Sequence, residues 1–323
     1  MKKFSLTLVL AGLMVFTVAS GEEEQANGSS ENSGSSNNGT NESVEVDLPE
    51  GYLEIRGSDT MVNLGQAFAE QYMDYNGNGD LSVTGGGSGT GIAAMINNEV
   101  DIAQSSRAMT SGEIEDAEAN GAEPIEFVVG QDGLAVAVNN DNPIEDLTIQ
   151  EIKDVFTGVI TEWSELGWDD GGPITVYSRQ SNSGTYVYFN ENVMDGEDFA
   201  EGAMFMPGSA AIREAVEQEA NAIGYIGIGY IEGIAAVNVA SDENSEYVTP
   251  FEESNVDEGI YPIARPLYFY VNGTPDGVML DYLNWTLKSD TADSVRYDTG
   301  FYQIGSNNQE ANKAMYEELG LDW

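Results

Sequence analysis

The chain contains no cysteine and no histidine among its 323 residues, and only 11 lysines and arginines. Without cysteine it forms no disulfides and has no thiol nucleophile or thiolate metal ligand. Without histidine, a Ser-His-Asp catalytic relay is excluded. Because binding to a phosphate backbone depends on clustered lysine and arginine, the shortage of basic residues argues against nucleic acid and anionic membranes as partners.

Acidic side chains are abundant instead, since 56 aspartates and glutamates give a formal net charge of -45. This excess is typical of proteins that work in concentrated salt, where the Debye length shrinks to about 3 Å at 1 M and self-repulsion is screened. The alternative is an ordinary acidic surface in dilute salt. A hydrophobic content of 41% excludes a wholly disordered acidic chain. We therefore expect a globular, halophile-adapted protein with a very acidic surface.

The N-terminal residues have the pattern of an export signal. Met1-Lys-Lys3 precedes an apolar stretch, so residues 1–21 are predicted to direct export rather than to span a membrane. Residues 22–49 are acidic and rich in Ser, Asn and Gly, which predicts a disordered tether. A tether favours anchoring at a surface, whereas Glu22 stands where the lipid-acceptor cysteine of a lipoprotein would follow the signal. A periplasmic protein and one held at the outer face of the cytoplasmic membrane both stay open.

From residue 50 onward, short apolar strands alternate with helical patterns, which is typical of an α/β fold. At this length two domains are expected, since single cores stop growing near about 250–300 residues. Two capping boxes, Thr110 with Glu113 and Thr148 with Glu151, mark helix starts. The apolar strands over residues 133–138 and 265–271 bracket the middle third, and we predict that the chain crosses there between two lobes.

Three turns place hydroxyls and glycines where a strand passes into a helix. They are Gly57-Ser-Asp-Thr60, Gly86-Gly-Ser-Gly-Thr90 and Ser183-Gly-Thr185. A helix N-terminus offers unpaired N–H groups and about half a positive charge, and glycine lets an anion approach the backbone. If the three turns converge, they form an oxyanion cage; taken singly, each is explained as a helix N-cap.

Two of the few arginines lie in Gly/Ser-rich segments of the same kind. Arg107 is in Gln104-Ser-Ser-Arg-Ala-Met109, and Arg179 is in Arg179-Gln-Ser-Asn-Ser-Gly-Thr185. In a chain this acidic, any anion site has to be built from a few local donors. Both arginines are therefore candidate ligands.

Catalytic and metal-binding interpretations of these segments fit less well. Ser88 lacks the second glycine of a nucleophile elbow, because Thr90 occupies that place. The run of residues 85–91 has no lysine and does not match a phosphate-binding P-loop. Residues 74–80 match the first half of a calcium loop, but Gly85 stands where the bidentate glutamate belongs. No metal or cofactor is predicted.

The spacing Arg179-x-x-x-Ser183-Gly184-Thr185 resembles the anion-binding signature of periplasmic phosphate-binding proteins, the solute receptors of the phosphate ABC importer. The segments over residues 147–163 and 223–230 look like two further family segments. The resemblance spans residues 52 to about 305. Several ordered motifs together make it specific.

The resemblance implies the site residues. Arg179 would bind phosphate oxygens by charge-assisted bonds, with hydroxyls and amides from the helix start that follows it. The first lobe would contribute the hydroxyl of Thr60 and the amide of Met61. The ligand-binding positions that the resemblance implies are Thr60, Met61, Ser88, Arg179, Ser183, Gly184 and Thr185.

One position departs from the family pattern. At this position many family members have an aspartate, which accepts the proton of hydrogen phosphate and so repels deprotonated sulfate. In this chain the position is occupied by Ser106. Ser106 is kept as a ligand-binding position, and Asp59 is the candidate that would replace the acceptor, with an N-cap role as its alternative. Arg107 would either neutralise Asp59 or contact the ligand, and we favour ligand contact.

The implied architecture is an α/β, two-lobed type II periplasmic-binding-protein fold, with mixed sheets, helices on both faces and a ligand cleft between the lobes. Residues 50–138 plus 264–323 would form lobe 1 and residues 139–263 lobe 2. The implied function is capture of inorganic phosphate by hinge closure and delivery to an ABC importer permease, without catalysis, by a monomer. The alternatives are a receptor for sulfate or tungstate and a secreted metal-dependent phosphatase.

Overall fold

The computed structural model of the protein describes residues 48–323. The predicted export signal and nearly all of the predicted tether lie outside the described residues. The strands are β1 (Gly51–Gly57), β2 (Gly79–Thr84), β3 (Ile102–Ser105), β4 (Pro124–Gly133), β5 (Ala135–Val138), β6 (Asp146–Thr148), β7 (Thr175–Arg179), β8 (Met204–Met206), β9 (Ala222–Ile226), β10 (Ala235–Ala236), β11 (Asn238–Ala240) and β12 (Ala264–Asn272).

The helices fall between these strands, as the alternating sequence pattern predicts. They are α1 (Val62–Tyr75), α2 (Ser88–Ile96), α3 (Ser111–Ala119), α4 (Ile149–Thr157), α5 (Gly184–Asn192), α6 (Ser209–Gln218), α7 (Glu253–Asp257), α8 (Gly277–Lys288), α9 (Asp290–Asp298) and α10 (Ser306–Glu318). Both predicted capping boxes are present, at the starts of α3 and α4. No helix among residues 48–323 is long and apolar enough to cross a membrane.

Two five-stranded mixed sheets organise the described chain. The first has the order β2-β1-β3-β12-β4, in which β1, β2 and β3 run parallel and β12 is antiparallel to both β3 and β4. The second has the order β10-β5-β9-β7-β8, in which β7, β8 and β9 run parallel. Strands β6 and β11 form a separate parallel pair. This confirms the predicted fold class.

Helices cover both faces of each sheet. Side chains alternate between the faces of a strand, and in β12 Phe269 and Val271 pack into one apolar cluster while Tyr270 packs into another. In β5, Ala137 and Val138 likewise point into different clusters. The two-sided burial explains why these strands are almost wholly apolar.

The chain passes between the sheets twice, at Leu134 and at the junction of Ile263 with Ala264. Residues 135–138 pair with β9 in the second sheet, although the sequence assigned them to the first lobe. A strand continuous over 133–138 was expected, but the apolar run changes sheets within it. We therefore propose residues 48–133 with 264–323 as lobe 1 and residues 134–263 as lobe 2.

One helix is shorter than the sequence predicted. The sequence predicts a helix from Ser209 to Gly224, but α6 ends at Gln218. The residues that follow become β9, a buried strand paired on both sides. Burial in the sheet outweighs the helical spacing there, as tertiary context often does.

Candidate functional site

The predicted turns lie at the carboxyl ends of parallel strands. Gly57 ends β1, and Thr84 and Ser105 end β2 and β3, so the turns that follow lie at one edge of the first sheet. Arg179 ends β7 of the second sheet. Ligands of open α/β sheets bind outside this edge, where the loops converge.

Hydroxyls from both lobes meet at this edge. Thr60 Oγ1 lies 2.8 Å from Thr185 Oγ1, and Ser88 Oγ lies 3.2 Å from Ser106 Oγ. Ser106 Oγ is also 3.4 Å from Thr185 Oγ1. All four side chains are buried. The three turns therefore converge, which is the arrangement that an oxyanion cage needs.

None of these four hydroxyls caps a helix, so each can form hydrogen bonds to other groups. The N-cap residues are Met61 for α1 and Gly87 for α2, and neither helix start has a side-chain cap hydrogen bond. Ser183, by contrast, is the N-cap of α5, and its Oγ accepts from the amides of Thr185 and Tyr186 at 3.2 and 3.4 Å. Its N-cap role is confirmed. The Met61 amide donates to Ser58 O at 3.2 Å within the turn.

Arg179 is buried at the carboxyl end of β7. Its Nη2 donates to Asp59 Oδ2 and Nη1 donates to Ser209 Oγ, both at 3.2 Å. Its Nε is buried without a hydrogen-bond partner. Burial lowers the pKa of Arg179 and the charge of Asp59 acts in the opposite direction, but a guanidinium stays protonated. The group keeps donor capacity and full charge in a place closed to water.

Asp59 is the ion-pair partner of Arg179 across the two lobes. Its Oδ1 accepts from the Gly86 amide at 2.9 Å, and not from an amide of α1, so the alternative of an ordinary N-cap is wrong. The carboxylate links the glycine turn of α2 to the arginine of the other lobe.

Arg107 forms an ion pair with Glu113, a partner that was not considered from the sequence. Its Nη1 and Nη2 donate to the two carboxylate oxygens of Glu113 at 2.8 and 2.6 Å. Burial acts to raise the pKa of Glu113, but hydrogen bonds from Arg107 and Thr110 outweigh it and hold the pKa below its usual value. The alternative in which Arg107 neutralises Asp59 is wrong, because Arg179 does so. Direct contact between Arg107 and a ligand stays a prediction.

Sequence reasoning missed a buried ion pair beside the hydroxyls. Arg265 Nη2 donates to Asp132 Oδ2 at 2.7 Å and to Thr185 Oγ1 at 3.0 Å. The sequence carries a signal for Arg265, the one charged residue in the largely apolar strand β12, and a weaker one for Asp132 near the end of β4, which also contains Glu126. The signal does not say that the two are partners.

Further polar contacts join the lobes around the hydroxyls. Asn182 O accepts from the Gly89 amide at 3.0 Å, and Asn182 Nδ2 donates to Gly86 O at 2.8 Å. Gly87 has φ +94°, and a Cβ there would lie 2.6 Å from Asn182 O. Tyr230 OH donates to Asp59 O at 2.9 Å. The glycine turn therefore permits a close approach of the two lobes.

The charges of the site balance. Two arginines, Arg179 and Arg265, face two aspartates, Asp59 and Asp132. The starts of α2 and α5 add N–H groups and their partial positive charge. Convergent hydroxyls, helix N-termini and a buried guanidinium are suited to a small tetrahedral oxyanion.

The segment that matched half of a calcium loop forms the end of α1 and the turn into β2. Asn76 is buried there, and its Nδ2 donates to Tyr72 OH and to Pro49 O. No group of three or more acidic side chains that could hold a metal ion occurs among residues 48–323.

Comparison with known proteins gives consistent relatives. A PBP superfamily domain matches residues 25–291. The phosphate-binding protein PstS of Pseudomonas aeruginosa is 33% identical over an alignment of 289 residues that covers 84% of this chain and 88% of that protein. PstS of Bacillus subtilis is 31% identical over 303 residues, 94% of each chain.

A solved structure has the same fold. It is a putative phosphate ABC transporter substrate-binding protein from Clostridium perfringens with bound phosphate, and it is 27% identical with a TM-score of 0.71. The match covers 79% of this chain and 100% of that one.

Proposed function

This chain belongs to the phosphate-binding proteins of the PBP superfamily, and on that premise we propose that it captures inorganic phosphate between its two lobes and delivers it to an ABC importer permease. The protein is a receptor and not an enzyme. Closure is driven by the ligand's higher affinity for the closed form, in which groups of both lobes reach it together.

The observation that carries this function is the meeting of hydroxyls from two lobes beside a buried arginine. Thr60 of lobe 1 and Thr185 of lobe 2 are 2.8 Å apart, and Arg179 of lobe 2 reaches Asp59 of lobe 1. An anion bound here bonds to both lobes at once and so favours the closed form. The proposed ligand-binding groups are the side chains of Thr60, Ser88, Ser106, Arg179 and Thr185, and the Met61, Ser183 and Gly184 positions at the helix starts.

Calorimetric titration of the purified protein in concentrated salt tests the function. Phosphate is expected to bind with high affinity, and sulfate and tungstate much more weakly. Preference for sulfate or tungstate would make the protein a receptor for another oxyanion. A phosphatase assay with added divalent ions is the second arm, and turnover of a phosphate ester would contradict the receptor function.

Asp59 is the proposed acceptor for the ligand's proton, in place of the aspartate that Ser106 replaces. Hydrogen phosphate can donate that proton to the carboxylate, whereas sulfate presents only lone pairs to it. We expect Asp59→Asn to lower the ratio of phosphate to sulfate affinity by about 10-fold or more, because the charged acceptor for the ligand's proton is lost and the repulsion of sulfate is removed. Competitive titration with the two anions measures the ratio.

The control for this variant is Asp101→Asn at the start of β3. Its carboxylate accepts from the Glu54 amide at 2.8 Å at the opposite end of the strand. The ratio is expected to stay at the native value there. An unchanged ratio in Asp59→Asn would assign the discrimination to another group.

We propose that the protein functions outside the cytoplasmic membrane, as a monomer adapted to concentrated salt. The pattern of residues 1–21 supports export, and the net charge of -45 supports adaptation to salt. Because selectivity would come from short-range bonds in a buried site, we expect binding to persist at high ionic strength, where long-range attraction is screened.

A further inference from the structure

Arg265 lies where the two crossovers meet, and its guanidinium reaches both halves of the site. It stands directly opposite Asp132 in the antiparallel register of β12 with β4. Its Nε and Nη2 donate to Asp132 Oδ2 at 3.0 and 2.7 Å. Nη1 donates to the backbone oxygen of Ser106 and Nη2 to Thr185 Oγ1, each at 3.0 Å. One side chain therefore connects lobe 1, lobe 2 and both crossover strands.

The bond to Thr185 fixes the direction of that hydroxyl. A hydroxyl has one O–H and two lone pairs, and a lone pair engaged by Arg265 leaves the O–H free to point to other groups of the site. A cationic donor also polarises the hydroxyl and strengthens the bond that it donates. Thr185 is thereby prepared to donate to an anion.

Asp132 holds Arg265 and cancels its charge. The Asp132 side chain is fully buried, its Oδ1 accepts from the Ile228 amide at 2.9 Å, and its Oδ2 is taken by Arg265. With both oxygens engaged, the carboxylate keeps the guanidinium in one orientation. Because the pair is buried, dissolved salt screens it little.

We propose that Arg265, held by Asp132, is a positioning residue that sets the phosphate affinity by orienting Thr185 and the Ser106 loop without touching the ligand. The inference rests on the proposed phosphate-binding function. It assigns a role in binding to a pair that the sequence motifs do not include.

A double-mutant cycle tests this inference. The first arm is Asp132→Asn with Arg265→Met, which removes both charges so that neither is left buried alone, and asparagine keeps an oxygen for the Ile228 amide. We expect the phosphate dissociation constant to rise about 10- to 150-fold, the range for a lost bond from a charged donor. In a Thr185→Val background the same replacement is expected to change it only about twofold, because the hydroxyl that Arg265 orients is already gone and only the effect through the Ser106 loop remains.

Arg296 supplies the matched control. It is another buried arginine, it donates to Val129 O and pairs with Asp293, and it belongs to α9, away from the site. Asp293→Asn with Arg296→Met is expected to lower the thermal midpoint and to leave the phosphate dissociation constant unchanged. Circular dichroism checks that each variant is folded.

The outcomes separate the inference from the function on which it rests. If the unmodified protein binds no phosphate, the proposed function fails. If it binds phosphate and the charge-free pair has the native dissociation constant, or the losses in the cycle simply add, only the role of Arg265 fails. Should the charge-free pair not fold, Arg265→Lys replaces it; lysine keeps the charge but cannot reach Asp132, Ser106 and Thr185 together, so native affinity in that variant would overturn the inference.

Discussion

Replacing Arg179 by methionine is expected to weaken phosphate binding about 10³-fold, because truncating one partner of a buried, hydrogen-bonded charge pair costs about 2–5 kcal/mol and the ligand loses its cationic donor as well. The Arg179 side chain is only 1% exposed, so water cannot take its place as a donor to the ligand. The variant also leaves Asp59 without its counter-charge, which opposes entry of an anion. Calorimetry with phosphate measures the loss.

The matched control is Arg213→Met in the same lobe. Arg213 lies on α6 and pairs at 3.2 Å with the exposed Glu217. An exposed pair contributes little, so the phosphate dissociation constant is expected to stay at the native value. Native affinity in Arg179→Met would show that the anion binds elsewhere.

Replacing Gly184 by alanine is expected to weaken phosphate binding about 100-fold by preventing the lobes from closing. A Cβ on Gly184 would overlap Ser88 Oγ and lie 2.8 Å from Ser88 Cβ and 3.0 Å from Ser106 Oγ. These atoms belong to the opposite lobe and are themselves buried, so the overlap is relieved only by separating the lobes. Forcing extra atoms into a tightly packed site costs about 1–3 kcal/mol. This cost destabilises the closed form and not the open form.

This prediction distinguishes closure from folding. The thermal midpoint without ligand is expected to change little, because the overlap involves only atoms at the contact between the lobes, while the stabilisation that phosphate gives to the protein is expected to disappear. Gly112→Ala in α3 is the control, since nothing lies within 4 Å of a Cβ there. It should bind phosphate as the native protein does. If Gly184→Ala does the same, the lobes do not approach as closely in solution as Gly184 and Ser88 do here.

Local patterns allowed much of the fold and part of the site to be predicted from the sequence. The capping boxes at Thr110 and Thr148, and a strand leading to Arg179, depend on residues only a few positions apart. The helix after Ser209 was predicted too long because the same apolar residues suit a buried strand. Helical spacing describes which residues are buried, but not which partner buries them.

The partners of the arginines show the same limit. Glu113 was recognised for its capping role, yet its ion pair with Arg107 was not foreseen. Asp132 and Arg265 are 133 residues apart in the chain and directly opposite each other in the sheet. Their pairing follows from strand register, which a single sequence does not specify between distant strands.

By itself, the sequence determined that this protein has a great excess of acid, no histidine or cysteine chemistry, and hydroxyls, glycines and arginines at the starts of helices. Each of these properties is a composition or a short spacing. The tertiary structure decided which carboxylate neutralises which arginine, and which hydroxyls face each other across the lobes. With 56 acidic residues available to 11 basic ones, charge alone leaves every arginine many possible partners. The approach of the two lobes brings Asp59 to Arg179, and the register of β12 with β4 brings Asp132 to Arg265.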